Sequence, residues 1–373
     1  MAFNRNGPLP ASSLGSFSKD VTLPADAEDT ISSISWSPAA NYLAAGSWDG
    51  KVRIYDVKSN GTAQGVAMLS AEGPVFDCDW AKDGTMVLAA GADRKIHLLH
   101  AATGQQAVIG AHERPVRGAR FVEVPGSGAP IVASGSWDGT VKFWDMRQQG
   151  AAAATLVCGE RVYAMDAQER LLVAATADRR IHLVDLQNPA ALLRSQDSPL
   201  KHQTTKVAVF PDGKGWATAS IEGRCGVNAL DERDASKTNF TFRCHRETAP
   251  PNPPTNHVRA PPATTTTNVY ALTDVRFHPH PRHAHTFATA GSDGTYSFWD
   301  RAGHMRLKGF AAPFAEKDPI TAAAFSRADG GAAYAYATGY DWSRGHAGNS
   351  PKVQTRLMLH WVAEEEVSPQ RRG

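Results

Sequence analysis

Leu43-Ala-Ala-Gly-Ser-Trp-Asp-Gly50, running directly into Lys51-Val-Arg-Ile-Tyr-Asp56, is the stretch that decides the fold. A short apolar run, an Asp-Gly turn and a run of alternating character read as strand, tight turn, strand. Ile34-Ser-Trp-Ser-Pro38, just upstream, is a further short strand closed by a proline. The same order returns at Val75–Leu99 with Ala90-Gly-Ala-Asp-Arg94, and at Val116–Asp145 with Gly135-Ser-Trp-Asp-Gly139. It returns at Val162–Asp185 around Asp178, at Lys206–Leu230 around Glu222, and at Val269–Asp300 with Gly291-Ser-Asp-Gly294. A degenerate copy, Ile320–Trp361, carries Gly339-Tyr-Asp-Trp342. The turn acids are therefore Asp49, Asp93, Asp138, Asp178, Glu222, Asp293 and Asp341, in steps of 44, 45, 40, 44, 71 and 48 residues.

All but one of these steps match the roughly 40–45 residues of a four-stranded propeller blade. With strand ends such as Phe143-Trp-Asp145 and Phe298-Trp-Asp300, the pattern resembles the WD-repeat family over about residues 22–362. Single repeats cannot bury their faces alone and must stack into a closed ring. The expected fold is all-β, a seven-bladed WD-repeat β-propeller with repeats at about 31–57, 75–101, 116–146, 162–186, 204–246, 269–308 and 320–362. The last copy supplies three strands, and Val21-Thr-Leu23 is the spare strand that can complete its sheet and remove an open edge. The ring is then 21–363, between a flexible tail at 1–20 and a short tail at 364–373. The long step is a surface insertion at 247–268, rich in Pro and Thr with almost no large apolar side chain. Asn239–Arg246, just before it, alternates like the outer strand of blade five.

Composition agrees and excludes other classes. Nine Trp with 32 Gly and 23 Pro suit many short strands joined by tight turns and disfavour a helical bundle. Lys+Arg 39 against Asp+Glu 37 argues against a whole-surface polyanion binder of the histone type, though not against a local basic strip. Cys78, Cys158, Cys225 and Cys244 form no C-x-x-C pair, so reduced and mostly buried thiols are expected. Neither a secretory signal nor a run of about 18 apolar residues is present, so a soluble intracellular protein is expected.

Two groups imitate catalytic chemistry. His112, Ser134, Asp138 and Trp144 include the types of a Ser-His-Asp triad, but within a blade they read as a buried hydrogen-bonded brace. His278, His280, His283 and His285 alternate with prolines after a first strand, which reads as a solvated loop and not a metal site. No phosphate-binding glycine loop or H-E-x-x-H is present. The expectation is no enzyme, no cofactor and no metal; binding remains.

Positive charge is uneven. Lys237, Arg243, His245 and Arg246 interleave with Phe240 and Phe242, and Arg301, His304, Arg306 and Lys308 follow Trp299. The repeat register makes these the outer strands of blades five and six, hence neighbours. A basic strip with aromatic faces suits single-stranded RNA or an acidic peptide with an apolar anchor.

The strings Ser47-Trp-Asp-Gly-Lys-Val-Arg-Ile-Tyr55, Phe242-Arg-Cys-His-Arg246, Phe287-Ala-Thr-Ala-Gly-Ser-Asp-Gly-Thr295, Arg306-Leu-Lys-Gly-Phe310 and Tyr340-Asp-Trp-Ser-Arg-Gly-His346 narrow the family. They resemble the Rae/Gle-type mRNA export factor family, propellers of the nuclear pore. The resemblance implies docking of a GLEBS-type segment of an FG nucleoporin across one face, with single-stranded or poly(A) RNA in a basic groove beside it. Carried over by position, Phe242 and Trp299 would wall that groove, and Arg243, Arg301, His304, Arg306 and Lys308 would charge it. At 304 the resemblance implies Arg, and this sequence has His304. The resemblance also implies the nuclear envelope with some cytoplasmic protein, and a monomeric propeller in a heteromeric complex. Two alternatives remain: a checkpoint propeller binding GLEBS-type segments of mitotic kinases, and a ubiquitin-ligase receptor using Trp144-Asp-Met-Arg147.

Overall fold

The computed structural model describes residues 15, 19–24, 26–128, 130–148, 150–248, 266–311, 314, 317–350 and 353–369. Within them the chain forms seven four-stranded antiparallel sheets and one two-stranded ribbon. Blade one is Ile31–Trp36, Tyr42–Ser47, Lys51–Val57 and Ala63–Ser70, each strand pairing with the next. Blades two to six repeat that meander from Val75, Val116, Val162, Thr204 and Leu272. Their innermost strands pack in sequence around one channel, and Ile320–Phe325 closes the circle against Ile31–Trp36.

Second strands are buried on both faces because each sheet is covered by its neighbours, which explains their run of Ala, Gly and small polar residues. Gly46 and Gly135 occupy equivalent positions in two of them. A Cβ there would lie 2.9 Å from the Val75 side chain and 2.8 Å from Val162, the first inner residues of the following blades.

Blade seven is a composite. Ile320–Phe325, Ala333–Thr338 and Arg356–Trp361 are completed by Val21–Leu23, with Val21 opposite Leu359 and Leu23 opposite Leu357. A buried polar knot fastens this closure. Asp20 takes the Tyr336 hydroxyl at 2.8 Å and His360 Nδ1 at 2.7 Å, while His360 Nε2 meets Glu366 at 3.0 Å. Burial opposes a charge on His360, but the two carboxylates outweigh it and raise its pKa to about 9.

Four boundaries differ from expectation. The tail expected at 364–373 begins with a docked helical turn, Glu364–Val367, whose Glu366 and Val367 are buried because the knot and Thr286 hold them. The tail expected at 1–20 is anchored at Asp20 and at Gly15, whose N–H donates to Gly309; 1–14 and 16–18 lie outside the described residues. Blade five's outer strand ends at Arg243, since His245 adopts φ 49° and turns its ring toward Asp293. Arg246–Thr248 then pairs with Thr267–Val269, so the insertion has a stranded stem; 249–265 lies outside the described residues.

Candidate functional site

Every innermost strand carries a β-bulge after its first residue. A bulge leaves one residue out of the ladder and re-aims its side chain. The residues released are Ser32, Phe76, Arg117, Tyr163, Thr205, Thr273 and Thr321, all half-buried. Together they ring one mouth of the channel.

Below that mouth the channel is ionic. Arg120 bridges Asp77 at 2.5 Å and Asp166 at 3.0 Å, and Arg276 pairs with Asp274 at 3.1 Å. Arg117 and Lys206 lie in the same field, yet neither side chain has a hydrogen bond or ion pair among the described residues. Burial pulls the Lys206 ammonium down to about 8, against the pull of Asp274. An unpaired buried ammonium is costly and favours any carboxylate that can reach it.

The same face carries a row of aromatic rings. Trp342 stacks on Trp48 at 4.9 Å, Trp48 meets Phe76 at 5.5 Å, and Phe76 stacks on Trp137 at 5.8 Å. The row spans blades seven, one, two and three, and all four rings are half-buried. Trp342 N–H is held by Asp29, whereas Trp137 Nε1 has no acceptor among the described residues. Phe76 escaped the reading of the sequence; the second position of each inner strand was the signal that could have found it.

The basic strip is rearranged relative to expectation. Blades five and six do meet there: Phe242 contacts Trp299 at 4.6 Å and Phe240 contacts His304 at 4.1 Å. However, Phe242 and Trp299 are core residues, 2% and 5% exposed, and they cannot offer open ring faces as groove walls. Trp299 is held inward because its N–H donates to Thr289 Oγ1 at 2.9 Å. His245 bonds the same hydroxyl at 3.0 Å and Asp293 at 2.9 Å, so the histidine is committed as well. Arg301 lies flat over Phe210 at 4.1 Å, with Asp212 at 3.8 Å, and its side chain is 11% exposed. Arg306 sits over Trp299 at 5.8 Å, and burial lowers its pKa and that of Arg301. Arg243 is exposed and Phe240 half-buried, whereas a bulge sets the half-buried Lys308 opposite Phe298, on the other face of the sheet from Arg306 and Trp299.

The turn acids hold their turns through amides and neighbours. Asp49 takes Lys51 N–H and Arg53; Asp93 takes Lys95 N–H and His97. Asp138 takes His112 at 2.8 Å, and His112 Nε2 meets Ser134 Oγ, which also accepts Trp144 N–H. Asp178 takes Thr176, Glu222 pairs with Arg224 at 3.5 Å, and Asp293 takes Thr295. Asp341 caps the turn Trp342–Arg344 in a longer connection.

His278 corrects the expectation of a solvated loop. It is 2% exposed, packed on Phe325 and His283 at 4.9 Å each, and burial followed by His283 lowers its pKa to about 4. Among the described residues no group of His, Cys, Asp or Glu is arranged to hold a metal ion. The four cysteines are buried and unbridged. Arg147 closes on Asp145 within Trp144-Asp-Met-Arg147, at 2.7 and 3.0 Å. No helix among the described residues is long and apolar enough to cross a membrane.

A family model described as WD domain, G-beta repeat matches residues 18–56, 65–99, 104–145 and 261–300. The chain is 45% identical to the WD40 repeat protein poxJ of Penicillium oxalicum over 356 residues, 95% of this chain and 97% of that one. It is 43% identical to the mRNA export factor GLE2 of Chaetomium thermophilum over 362 residues, 96% and 94% of the two chains. With the poly(A)+ RNA export protein of Schizosaccharomyces pombe it shares 42% identity over 355 residues, 95% and 94%.

Proposed function

Because the chain belongs to the WD-repeat family that includes these mRNA export factors, we propose that it is a non-enzymatic scaffold that brings RNA to the nuclear pore. A GLEBS-type segment of an FG nucleoporin docks across the aromatic face. Its apolar side chains cover Trp342, Trp48, Phe76 and Trp137, and its acidic side chains enter the channel mouth toward Arg117 and Lys206. The observation that carries this reading is the coincidence of that aromatic row with two cations lacking partners. Aromatic anchors beside desolvated charges are what a partner interface uses. Single-stranded or poly(A) RNA follows the edge of blades five and six, with Arg243, His304 and Arg306 at its phosphates and Phe240 as the aromatic surface. Docking would place the protein at the nuclear envelope.

The test is thermal denaturation with a synthetic GLEBS-type peptide. Binding to the folded ring alone stabilises it by about 2.7 kcal/mol at a hundredfold excess over Kd. Phe76→Ala and Lys206→Met, each checked for folding, reduce that shift. No shift at saturating peptide refutes the docking. For the RNA edge, Arg243→Glu/Arg306→Glu flattens the log–log salt slope by about 1.4 if two phosphate contacts are lost. An unchanged slope removes the edge from the reading and leaves the docking face intact.

A further inference from the structure

Ser-Pro followed by a base at the third position after the serine occurs twice, at Ser198-Pro-Leu-Lys201 and Ser368-Pro-Gln-Arg371. This spacing is substrate chemistry for a proline-directed, basophilic protein kinase, and the structure separates the two. Ser198 is locked between blades four and five: its N–H donates to Arg179 O, its hydroxyl accepts Leu200 N–H at 3.2 Å, and Leu200 is 2% exposed. Drawing that segment into a kinase would strip the strand Arg194–Asp197 from blade four as well as withdraw Leu200. Ser368 instead follows the helical turn Glu364–Val367, and its hydroxyl donates at 2.9 Å to the exposed Glu364. The turn is held to blade six by Thr286 Oγ1 on the Val367 carbonyl and to blade seven by the Glu366–His360 pair, two contacts whose local opening frees Ser368 while all four strands of each blade stay paired.

Ser368 also lines a cleft of about 250 Å³ whose other lining residues include Arg282, His283, His285 and Asp300. The acids there are committed. Asp300 accepts Ala302 N–H at 3.0 Å and Gly303 N–H at 2.9 Å, and Glu364 pairs with His283 at 3.3 Å. The exposed side chains of Arg282 and His285 have no ion-pair partner among the described residues. We propose that Ser368 is a phosphorylation site and that this cleft receives its phosphate. In the transfer, Ser368 Oγ attacks the γ-phosphorus of kinase-bound ATP and forms the O–P bond. The bond to the β–γ bridging oxygen breaks, ADP leaves, and the hydroxyl proton passes to the kinase base. The phosphate brings about 1.5 to 2 negative charges and no donor, so it displaces Glu364 from His283 and takes His283, Arg282 and His285.

The experiment treats the full chain with ATP and a proline-directed, basophilic kinase, then follows the phosphorus NMR signal against pH. One phosphate is expected on Ser368 and none on the Ser368→Ala protein. Its second ionisation is expected about one unit below the value near 6 of a free phosphoserine, as neighbouring cations require. Arg282→Glu/His285→Glu alters two exposed side chains and should melt like the parent while returning that ionisation to about 6. Transfer to Ser198 in place of Ser368 overturns the site, as does no transfer to the full chain when a free peptide of the same sequence is modified. A phosphate that titrates like free phosphoserine overturns the cleft as its receptor.

Discussion

Blade three and blade six contain the same brace built from different stretches of chain. In blade three, Trp144 N–H donates to Ser134 Oγ at 2.7 Å, and His112 joins that hydroxyl to Asp138, each contact 2.8 Å. In blade six, Trp299, Thr289, His245 and Asp293 repeat it at 2.9, 3.0 and 2.9 Å, with threonine for serine. His112 stands 26 residues before its aspartate, whereas His245 stands 48 before its own, with the insertion between them. The brace is thus fixed by the geometry of adjoining blades and indifferent to the chain that joins them. Other blades keep the acid and change the partner, with Arg53 on Asp49 and His97 on Asp93.

The equivalence predicts equal penalties, and the largest concerns the indoles. Trp144→Ala and Trp299→Ala should each cost about 3–5 kcal/mol in urea unfolding, since both remove a buried ring and a hydrogen-bond donor. A Trp299→Ala protein that keeps the parent midpoint but loses RNA affinity would break the comparison and return that ring to the surface. Next come the histidines. His112→Ala and His245→Ala each take one partner from a buried hydroxyl and one from a carboxylate that keeps its turn hydrogen bonds, at about 1–3 kcal/mol. Adding Ser134→Ala to His112→Ala, or Thr289→Ala to His245→Ala, should cost less than the sum of the singles, because each pair acts as one network. Additivity in blade six alone would show that its brace is not coupled.

The comparison also explains what could be read in the sequence. Blade three was legible because His112, Gly135-Ser-Trp-Asp-Gly139 and Phe143-Trp-Asp145 lie in one uninterrupted repeat. The ring, its blade number and the Val21–Leu23 closure followed from the same periodicity, since repetition constrains every blade at once. His245 and Trp299 were misread as surface because the insertion separates histidine from acid, and their charged and aromatic neighbours resemble a binding strip. The aromatic face was only partly visible. Trp48, Trp137 and Trp342 sit in turns that the repeat marks, but Phe76 is turned to the channel mouth by a bulge, visible in the sequence only as the second position of its inner strand. Arg117 and Lys206 become notable only once the channel assembles around them.

The smallest expected effect is one of acidity, and its sign distinguishes a brace from a clasp. With the Ser134 oxygen accepting from Trp144, its hydroxyl hydrogen points to His112 Nε2, and Nδ1–H faces Asp138; the imidazole is neutral. Burial lowers the His112 pKa, and Asp138 only partly opposes it. The unfolded chain takes up a proton near 6.5 that the folded one resists, so stability falls as pH drops below that value. His182 is lowered by burial too, and His278 reaches about 4, so three histidines share this acid limb. His360 has the opposite sign: raised to about 9, it contributes fully below 6.5 and loses that contribution as pH rises through 9. His112→Gln should therefore flatten the decline between about pH 6.5 and 5 by less than 1.4 kcal/mol per pH unit, the limit for one proton. His360→Gln should leave that limb unchanged and flatten the alkaline one. An acid limb that keeps its slope in His112→Gln would mean the imidazole is protonated in the fold, with Ser134 no longer donating to it.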